Sequence, residues 1–397
     1  MSSSSENLDV AVVGAGLAGA AAALGCAQLG LRVALIGPAP ARHVPTDGTP
    51  FDARIYALAP ASVALAERLG VWSAVDPART QRVERMRIFG DEGRELDFDA
   101  YGAAVERLAT IVEESELARV LHAGCGFAPS LARCAASVQN VRFDADHVSL
   151  ELANGTRLHA GLVIAADGAR SGVRAAAGIS ASDVGYAQTA IVANFGCDLA
   201  HLGTAFQWFT EDGVLALLPL PASAAAEHAV SLVWSAPDTL AAELSALPPS
   251  DLADRVNQRI DSPLGNLRPI GVPASFPLRC LTVDRMAAAR VALVGDAAHV
   301  VHPLAGQGLN LGLQDVATLL DVVAAREPFR DIGDLALLRR YARARAEAVA
   351  LMRTTTDGLA RLFASDDPLA RRLRNLGLAF VNQTQPLKRA LVRHALG

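Results

Sequence analysis

The segment from Leu8 to Gly37 constrains the fold of this chain more than any other feature of the sequence. It reads LDVAVVGAGLAGAAAALGCAQLGLRVALIG: an apolar β-rich run, a glycine turn, an alanine-rich helix and a second apolar run. In the turn Gly14-x-Gly16-x-x-Gly19, the first glycine permits a tight turn, the second lets backbone approach a pyrophosphate, and the third lets the helix pack on the strand. The segment therefore predicts a strand-helix-strand unit that binds a dinucleotide at the helix N-terminus.

Two further features of this segment bear on that prediction. No charged residue occurs from Val10 to Leu31, which is long enough to cross a bilayer, but the glycine spacing favours the nucleotide-binding unit. An acidic residue commonly ends the second strand of such a unit and binds the ribose hydroxyls, whereas this chain has Gly37 there. Either other groups hold the ribose or the affinity for adenosine is weaker.

Composition indicates a large folded protein and excludes some partners. The chain has 397 residues, of which 51% are hydrophobic and 19% charged, so it can bury an extensive core. A net charge of -5 provides no global basic field, which argues against nucleic acid as a partner. The five cysteines are scattered, with no C-x-x-C pair, and fit a reducing cytoplasm better than a disulfide framework. The first ten residues lack the features of a signal peptide, so a cytoplasmic protein is expected.

Local patterns predict the elements between the first unit and the middle of the chain. A helix is expected from about Pro60, a hairpin around Asp91–Gly93 and a helix near Ser115–Leu121. A second hairpin is expected through Asn154–Gly155, followed by a buried strand that ends at Asp167. Separate strand-like runs between residues 184 and 276 then predict an inserted antiparallel sheet, and the chain from about residue 308 is expected to be helical.

The stretch VALVGDAAHVVHPLAGQGLN places Asp296, His299 and His302 at intervals of three residues. Carboxylate and imidazole groups would suit zinc or non-haem iron. Pro303 disfavours a helical conformation at His302, so the three side chains cannot share one regular helical face. We therefore predict no metal site, a structural hydrogen-bonded role for His299, and a loop position for His302 that could face the substrate.

Motifs along nearly the whole chain resemble those of the flavin-dependent aromatic hydroxylases (class A flavoprotein monooxygenases), most of all the UbiH/UbiF-like hydroxylases of ubiquinone biosynthesis. The motifs are the first glycine turn, DARIYALAPASVALAERLGVW, ADGARSGVR, LALLPLP with SLVWS, and GDAAHVVHPLAGQGLNLGLQDV, the last being the most specific. The resemblance implies an α/β fold: a Rossmann-like FAD-binding domain with an inserted antiparallel β-sheet substrate domain and a helical C-terminus. It also implies FAD as cofactor and NAD(P)H as co-substrate.

The resemblance and the predicted elements together suggest domain boundaries. Residues 1–75, 104–183 and 277–330 are expected to form a discontinuous FAD-binding domain. Residues 76–103 and 184–276 are expected to form the β-sheet substrate domain, and residues 331–397 the C-terminal helices.

The resemblance also assigns roles to residues beyond the first glycine turn. Arg54 resembles an arginine that approaches the cofactor, and Asp167 with Gly168 resembles the DG motif that serves both FAD and NAD(P)H, although an aspartate before glycine is also common in an ordinary turn. Asp296 resembles the acid that binds the ribityl chain. The backbone expected beside the flavin ring comprises Pro303, Gly306, Gln307 and Gly308.

Physical arguments support part of this transfer, and one residue departs from the family pattern. A strand ending at Gly295-Asp296 would place a carboxylate at the carboxyl edge of the sheet, where such folds bind ligands. A helix beginning near Gly308 would direct its free N–H groups and dipole at negative charge on reduced flavin. Glu114 stands where the family usually has asparagine, which puts a cofactor contact from that helix in doubt.

These features predict an FAD-dependent monooxygenase that uses NAD(P)H and dioxygen to hydroxylate an aromatic ring, with a polyprenylated phenol of ubiquinone biosynthesis as the expected substrate. The alternatives are a hydroxylase of a small soluble aromatic or secondary metabolite, and a non-catalytic flavin-binding accessory protein of a quinone-biosynthesis complex. No catalytic side chain is identified. Arginines are interleaved with leucines in the C-terminal tail from residue 369, which suits peripheral contact with the inner face of the membrane, a partner groove, or packing on the domain.

Overall fold

The computed structural model describes residues 7–38, 51–90, 95–302 and 307–364. In chain order the strands and helices are β1 (Asn7–Val13), α1 (Leu17–Gln28), β2 (Val33–Ile36), β3 (Ile55–Leu58), α2 (Pro60–Arg68), β4 (Thr80–Val83), β5 (Arg85–Phe89), β6 (Glu95–Asp99), β7 (Ala109–Glu113), α3 (Glu114–Phe127), β8 (Leu131–Cys134), β9 (Val138–Phe143), β10 (Val148–Leu152), β11 (Arg157–Ala165), α4 (Gly172–Ala176), β12 (Ala181–Cys197), β13 (Thr204–Thr210), β14 (Gly213–Leu220), β15 (Ala229–Pro237), α5 (Asp238–Ala246), α6 (Pro249–Arg259), β16 (Leu267–Pro269), β17 (Ala274–Val283), β18 (Ala287–Ala288), β19 (Val291–Leu293), β20 (His299–Val300), α7 (Gln307–Ala324) and α8 (Leu335–Ala364).

The first sheet is a parallel sheet of the nucleotide-binding type. Its strands follow the order β8-β2-β1-β11-β19, all parallel, with β18 antiparallel at one edge and β10 and β9 extending from β11. Strands β1, β2 and β11 are apolar and buried because helices cover the sheet. Strand β2, the next strand along the chain, pairs with one edge of β1, and β11 pairs with the other edge of β1. A crevice is therefore expected at the carboxyl ends of β1 and β11, where ligands bind in such folds.

The second sheet is mixed but mostly antiparallel. Its order is β20-β17-β12-β15-β14-β13-β5-β6, with β16 paired to β12, and only the β13–β5 pair is parallel. Strands β12 to β15 bury aromatic residues such as Phe195 and Trp234 against α5 and α6. A third, small sheet consists of β3, β7 and β4.

The α/β fold with an inserted antiparallel sheet and helices towards the C-terminus is confirmed. Helix α2 begins at Pro60 as predicted, and the helix predicted near residues 115–121 extends over Glu114–Phe127. Strands β5 and β6 pair as the first predicted hairpin, whose turn at 91–94 lies outside the described residues, and β10 and β11 pair around Asn154–Gly155. Among the helices that the structure describes, none is both long enough and apolar enough to cross a membrane.

Candidate cofactor site

The glycine turn after β1 is tightly packed at two of its three glycines. Gly14 has φ +108°, and a Cβ there would lie 2.1 Å from the Ala166 carbonyl oxygen. A Cβ on Gly19 would lie 1.8 Å from the Gly14 carbonyl oxygen, whereas a Cβ on Gly16 would meet no described atom within 4 Å. The first and third glycines are thus required for packing, and the second opens outward. Because Gly16 is the N-cap of α1 and provides no side-chain cap, the first N–H groups of this helix are available to an anion.

Asp167 and Gly168 follow β11 and lie directly beside Gly14. One oxygen of Asp167, Oδ2, accepts a hydrogen bond from the Val173 amide at 3.2 Å, which is the bond that an ordinary turn aspartate would make. The other oxygen, Oδ1, is buried and has no hydrogen-bond partner among the described residues. Gly168 has φ +82°, which permits the sharp turn. Asp167 therefore stabilises the turn with one oxygen and retains an acceptor for a ligand on the other.

Asp296 lies on the turn that follows β19, beside the first turn of α1. Gly295 has φ +58° and its Cβ position would be 3.5 Å from the Cβ of Ala18 in α1. The Asp296 side chain is exposed, but the surrounding protein partly desolvates its carboxyl group, and this desolvation raises the pKa of Asp296. The nearby His299 and Arg54 act in the opposite direction and lower this pKa. An exposed carboxylate beside a helix N-terminus is suited to accept hydrogen bonds from a polyol.

Asp315 connects the Asp296 turn to two helices. It is fully buried in α7 and accepts hydrogen bonds from the Gly295 amide at 3.0 Å and from His299 Nε2 at 2.7 Å. Its other oxygen accepts from Arg345 Nε of α8 at 2.7 Å, forming a buried ion pair. This network confirms the structural hydrogen-bonded role predicted for His299.

Arg174 joins the two acidic turns. Its guanidinium donates to the Ala297 carbonyl at 2.9 Å and to the Ala169 carbonyl at 2.7 Å. The Asp167 and Asp296 turns are therefore held together at the carboxyl edge of the parallel sheet.

Arg54 extends from the segment before β3 towards the same edge. Its Nη1 lies 3.2 Å from Glu114 Oε2, and its guanidinium lies over the Phe276 ring at 4.4 Å from the ring centroid. Its positive charge partly opposes the rise in the pKa of Asp296 that burial causes. Glu114, the residue that departs from the family pattern, is thus an ion-pair partner of Arg54.

A buried cluster holds the Arg54 segment against the second sheet. Glu113 accepts from the Asp52 amide at 2.6 Å and from Arg79 Nη2 at 2.9 Å, and burial raises the pKa of Glu113 to about 7. Asp52 in turn accepts from the Ser115 amide at 2.8 Å, and its carbonyl accepts from Asn194 Nδ2 of β12 at 2.9 Å. Hydrogen bonds to Glu113, Ser115 and Asn194 thus fix the segment around Asp52, and this fixed segment positions Arg54.

The predicted flavin-side backbone is described only in part. Pro303 and Gly306 lie outside the described residues, whereas Gln307 and Gly308 form the start of α7, as expected for a helix beginning near Gly308. Asn310, one turn later, is buried and accepts from the Ala59 amide at 2.8 Å and the Ser62 hydroxyl at 2.7 Å. These bonds fix the first turn of α7 against α2.

His302 is directed away from the Asp315 network. Its Nε2 lies 2.9 Å from Gln188 Oε1, and the Tyr186 ring packs edge-on with ring centroids 4.7 Å apart. Burial lowers the pKa of His302 to about 4, so the ring is neutral near pH 7. Asp296, His299 and His302 have different surroundings, and the described part of the chain contains no cluster of three His, Cys, Asp or Glu side chains arranged for a metal ion.

The sequence reading missed the buried polar residues that support these turns: Asp315, Arg345, Asn310 and Glu113. A signal existed for Asp315 and Asn310, since NLGLQDV places both on the apolar side of a helix, where an unpaired polar residue would be costly. Their partners could not be inferred from the sequence.

Sequence comparison relates the chain to a family model and to characterised relatives. The family model described as an FAD binding domain matches residues 7–356. The chain is 36% identical to the ubiquinone hydroxylase UbiL of Rhodospirillum rubrum, over 98% of this chain and 89% of that protein. It is 35% identical to the 3-demethoxyubiquinol 3-hydroxylase of Escherichia coli, over 98% of both chains.

Solved structures with low sequence identity share the fold. The p-nitrophenol 4-monooxygenase PnpA of Pseudomonas putida superposes with a TM-score of 0.76 at 19% identity, over 99% of each chain. HpxO of Klebsiella pneumoniae, solved with FAD and uric acid, superposes with a TM-score of 0.74 at 19% identity, over 97% of each chain.

Proposed function

The chain belongs to the FAD-dependent aromatic hydroxylases of the FAD binding domain family, and from that premise we propose that it hydroxylates a polyprenylated phenol on the route to ubiquinone. It is an FAD-dependent monooxygenase that uses NAD(P)H and dioxygen. The observation that carries the substrate proposal is the likeness, over 98% of the chain, to two proteins named as a ubiquinone hydroxylase and a 3-demethoxyubiquinol 3-hydroxylase.

The described residues fit FAD. The space outside Gly16 and the uncapped N-terminus of α1 would receive the pyrophosphate. The unpartnered oxygen of Asp167 would accept a hydrogen bond from the cofactor, and Asp296 would bind the ribityl hydroxyls. We propose that Arg54 approaches the cofactor and that the backbone from Pro303 to Gly308 lies beside the flavin ring.

Bound FAD supplies electron transfer from NAD(P)H and the activation of dioxygen. The chain's own residues bind and orient it. The N-terminus of α7 would stabilise negative charge next to it, because its first N–H groups have no partner within the helix. Buried apolar strands would exclude water from the substrate. The neutral His302 ring donates from Nε2 to Gln188 Oε1, so its Nδ1, which has no partner among the described residues, would accept a hydrogen bond from the substrate hydroxyl without adding charge.

A matched pair of phenols tests the substrate proposal. Protein reconstituted with FAD is given NAD(P)H and either a short-chain prenylated phenol in detergent micelles or the same phenol without the prenyl chain. We expect NAD(P)H oxidation coupled to hydroxylated product, with kcat/KM at least about tenfold higher for the prenylated phenol because each buried methylene contributes to binding. Mass spectrometry of the product measures the coupling.

Other outcomes of this experiment identify the alternatives. Equal or faster turnover of the unprenylated phenol would favour a hydroxylase of small soluble aromatics. Bound FAD whose reduction by NAD(P)H is stimulated by neither phenol, together with co-purification of quinone-biosynthesis proteins, would favour the accessory protein. Normal quinone in a strain lacking the gene would also contradict the proposal.

We further propose that the C-terminal segment, residues 365–397, which lies outside the described residues, contacts the membrane surface or a partner in a quinone-biosynthesis complex. Its arginines and leucines support this proposal, since they can pair with anionic headgroups and insert between acyl chains. Flotation with vesicles that contain anionic lipid should recover most of the full chain, and truncation after Ala364 should reduce recovery several-fold. Equal recovery of the truncated chain would contradict membrane contact.

A further inference from the structure

A small hollow with a volume of about 20 Å³ lies at the carboxyl ends of β2 and β8. Ala15 of the glycine turn, Gly37, His122 of α3 and Arg133 of β8 contribute to its lining. In a strand-helix-strand unit of this type, the adenosine ribose of a dinucleotide lies at the end of the second strand. The hollow is therefore the place where an acidic side chain at the end of β2, which this chain lacks, would contact the ribose.

Gly37 cannot be replaced by an acidic residue without displacing the glycine turn. A Cβ at position 37 would lie 2.8 Å from the amide nitrogen of Ala15 and 3.0 Å from its Cβ. Both distances are shorter than an ordinary van der Waals contact. A hydrogen-bond acceptor for the ribose must therefore come from another element.

His122 is one of the residues that line the hollow, and one of its ring nitrogens is an unpaired acceptor. Its side chain is 7% exposed, and its Nε2 lies 2.9 Å from the carbonyl oxygen of Ala15. A carbonyl oxygen can only accept, so Nε2 carries the proton and Nδ1 of the neutral ring is an acceptor. This Nδ1 is buried and has no hydrogen-bond partner among the described residues.

The charge state of His122 favours this role. Burial lowers the pKa of the ring, the hydrogen bond to Ala15 acts in the opposite direction, and the positive charge of Arg133 lowers the pKa further. The ring is thus neutral at pH 7, and Nδ1 retains its lone pair. A buried acceptor without a donor is costly, and a donor from a ligand would relieve that cost.

We propose that His122 Nδ1 accepts a hydrogen bond from a ribose hydroxyl of the adenosine half of FAD, replacing the carboxylate that usually ends the second strand. The proposal rests on the assigned cofactor. It makes His122 a determinant of the preference for FAD over FMN, which lacks the adenosine.

Two substitutions separate the two ring nitrogens. His122→Gln places an amide donor near the Nε2 position and keeps the bond to Ala15, but removes the Nδ1 acceptor. His122→Asn places an oxygen acceptor near the Nδ1 position and loses the bond to Ala15. We expect His122→Gln to weaken FAD binding about tenfold, the effect of one lost hydrogen bond with a buried donor left unpaired, and His122→Asn to weaken it less.

Titration of the apoprotein with FAD and with FMN, followed by flavin fluorescence, measures the effect. FMN affinity should stay within about twofold of wild type in both variants. FAD analogues containing 2′-deoxy- or 3′-deoxyadenosine should identify the ribose hydroxyl that bonds to His122. The analogue that lacks this hydroxyl should bind to wild type and to His122→Gln with equal affinity. Three results would overturn this inference without affecting the assigned cofactor. They are equal FAD affinity of His122→Gln and wild type, an equal loss of affinity for FAD and for FMN, and a loss of affinity for both deoxy analogues in His122→Gln as large as that in wild type. Failure of the wild-type protein to bind FAD would overturn the assigned cofactor as well.

Discussion

Gly14→Ala is expected to destabilise the fold and abolish high-affinity FAD binding. The added Cβ would lie 2.1 Å from the Ala166 carbonyl oxygen and 2.7 Å from the Asp167 amide nitrogen, at a φ of +108° that L-residues rarely adopt. Both neighbours are backbone atoms of the adjacent strand end, so neither can rotate away. We expect a loss of about 3 kcal/mol or more in the free energy of unfolding, and at least a hundredfold loss of FAD affinity.

Gly16→Ala is the matched control for that experiment. Gly16 has φ -70°, and a Cβ there would meet no described atom within 4 Å. The apoprotein should therefore unfold at the wild-type urea concentration, while FAD affinity should fall because the methyl group would occupy the space assigned to the pyrophosphate. Unchanged FAD affinity of Gly16→Ala would contradict that assignment, and a stable Gly14→Ala apoprotein would contradict the packing argument.

Asp315→Asn is expected to be the most damaging single change outside the glycine turn. The carboxylate is fully buried and is the ion-pair partner of Arg345, which is itself 5% exposed. Removing its charge leaves the guanidinium buried without compensation, which typically costs about 3–5 kcal/mol. The same carboxylate accepts from the Gly295 amide, so the Asp296 turn should also lose its position and FAD affinity should fall. Urea unfolding and flavin titration measure the two effects.

An exposed aspartate on the same helix provides the control for Asp315. Asp321 pairs with Arg68 at 2.7 Å, but its side chain is 66% exposed. Asp321→Asn should leave the unfolding midpoint nearly unchanged, because exposed pairs are screened by water. Adding Arg345→Met to Asp315→Asn should restore part of the lost stability, since it removes the uncompensated charge. A double variant no more stable than Asp315→Asn would show that the charge is not the cause.

The sequence alone determined the nucleotide-binding unit and the position of two carboxylates at the carboxyl edge of the parallel sheet. Glycine spacing and apolar period are local properties, and the carboxyl ends of parallel strands lie at one edge whatever the rest of the chain does. Asp167 and Asp296 could therefore be placed at that edge before their contacts were known. The same local reading gave the start of α2 and the two strand pairs β5–β6 and β10–β11.

Only the tertiary structure decided which groups support those sites. Glu114 pairs with Arg54 across 60 residues of sequence, Arg345 reaches Asp315 across 30, and His122 reaches the glycine turn across 107. The periodicity of a sequence does not indicate such partners, because a hydrogen bond or ion pair between separate elements depends on how those elements pack and not on their order in the chain. The absence of an acid at Gly37 was visible in the sequence, but its physical reason, the contact of Gly37 with Ala15, exists only in the folded chain.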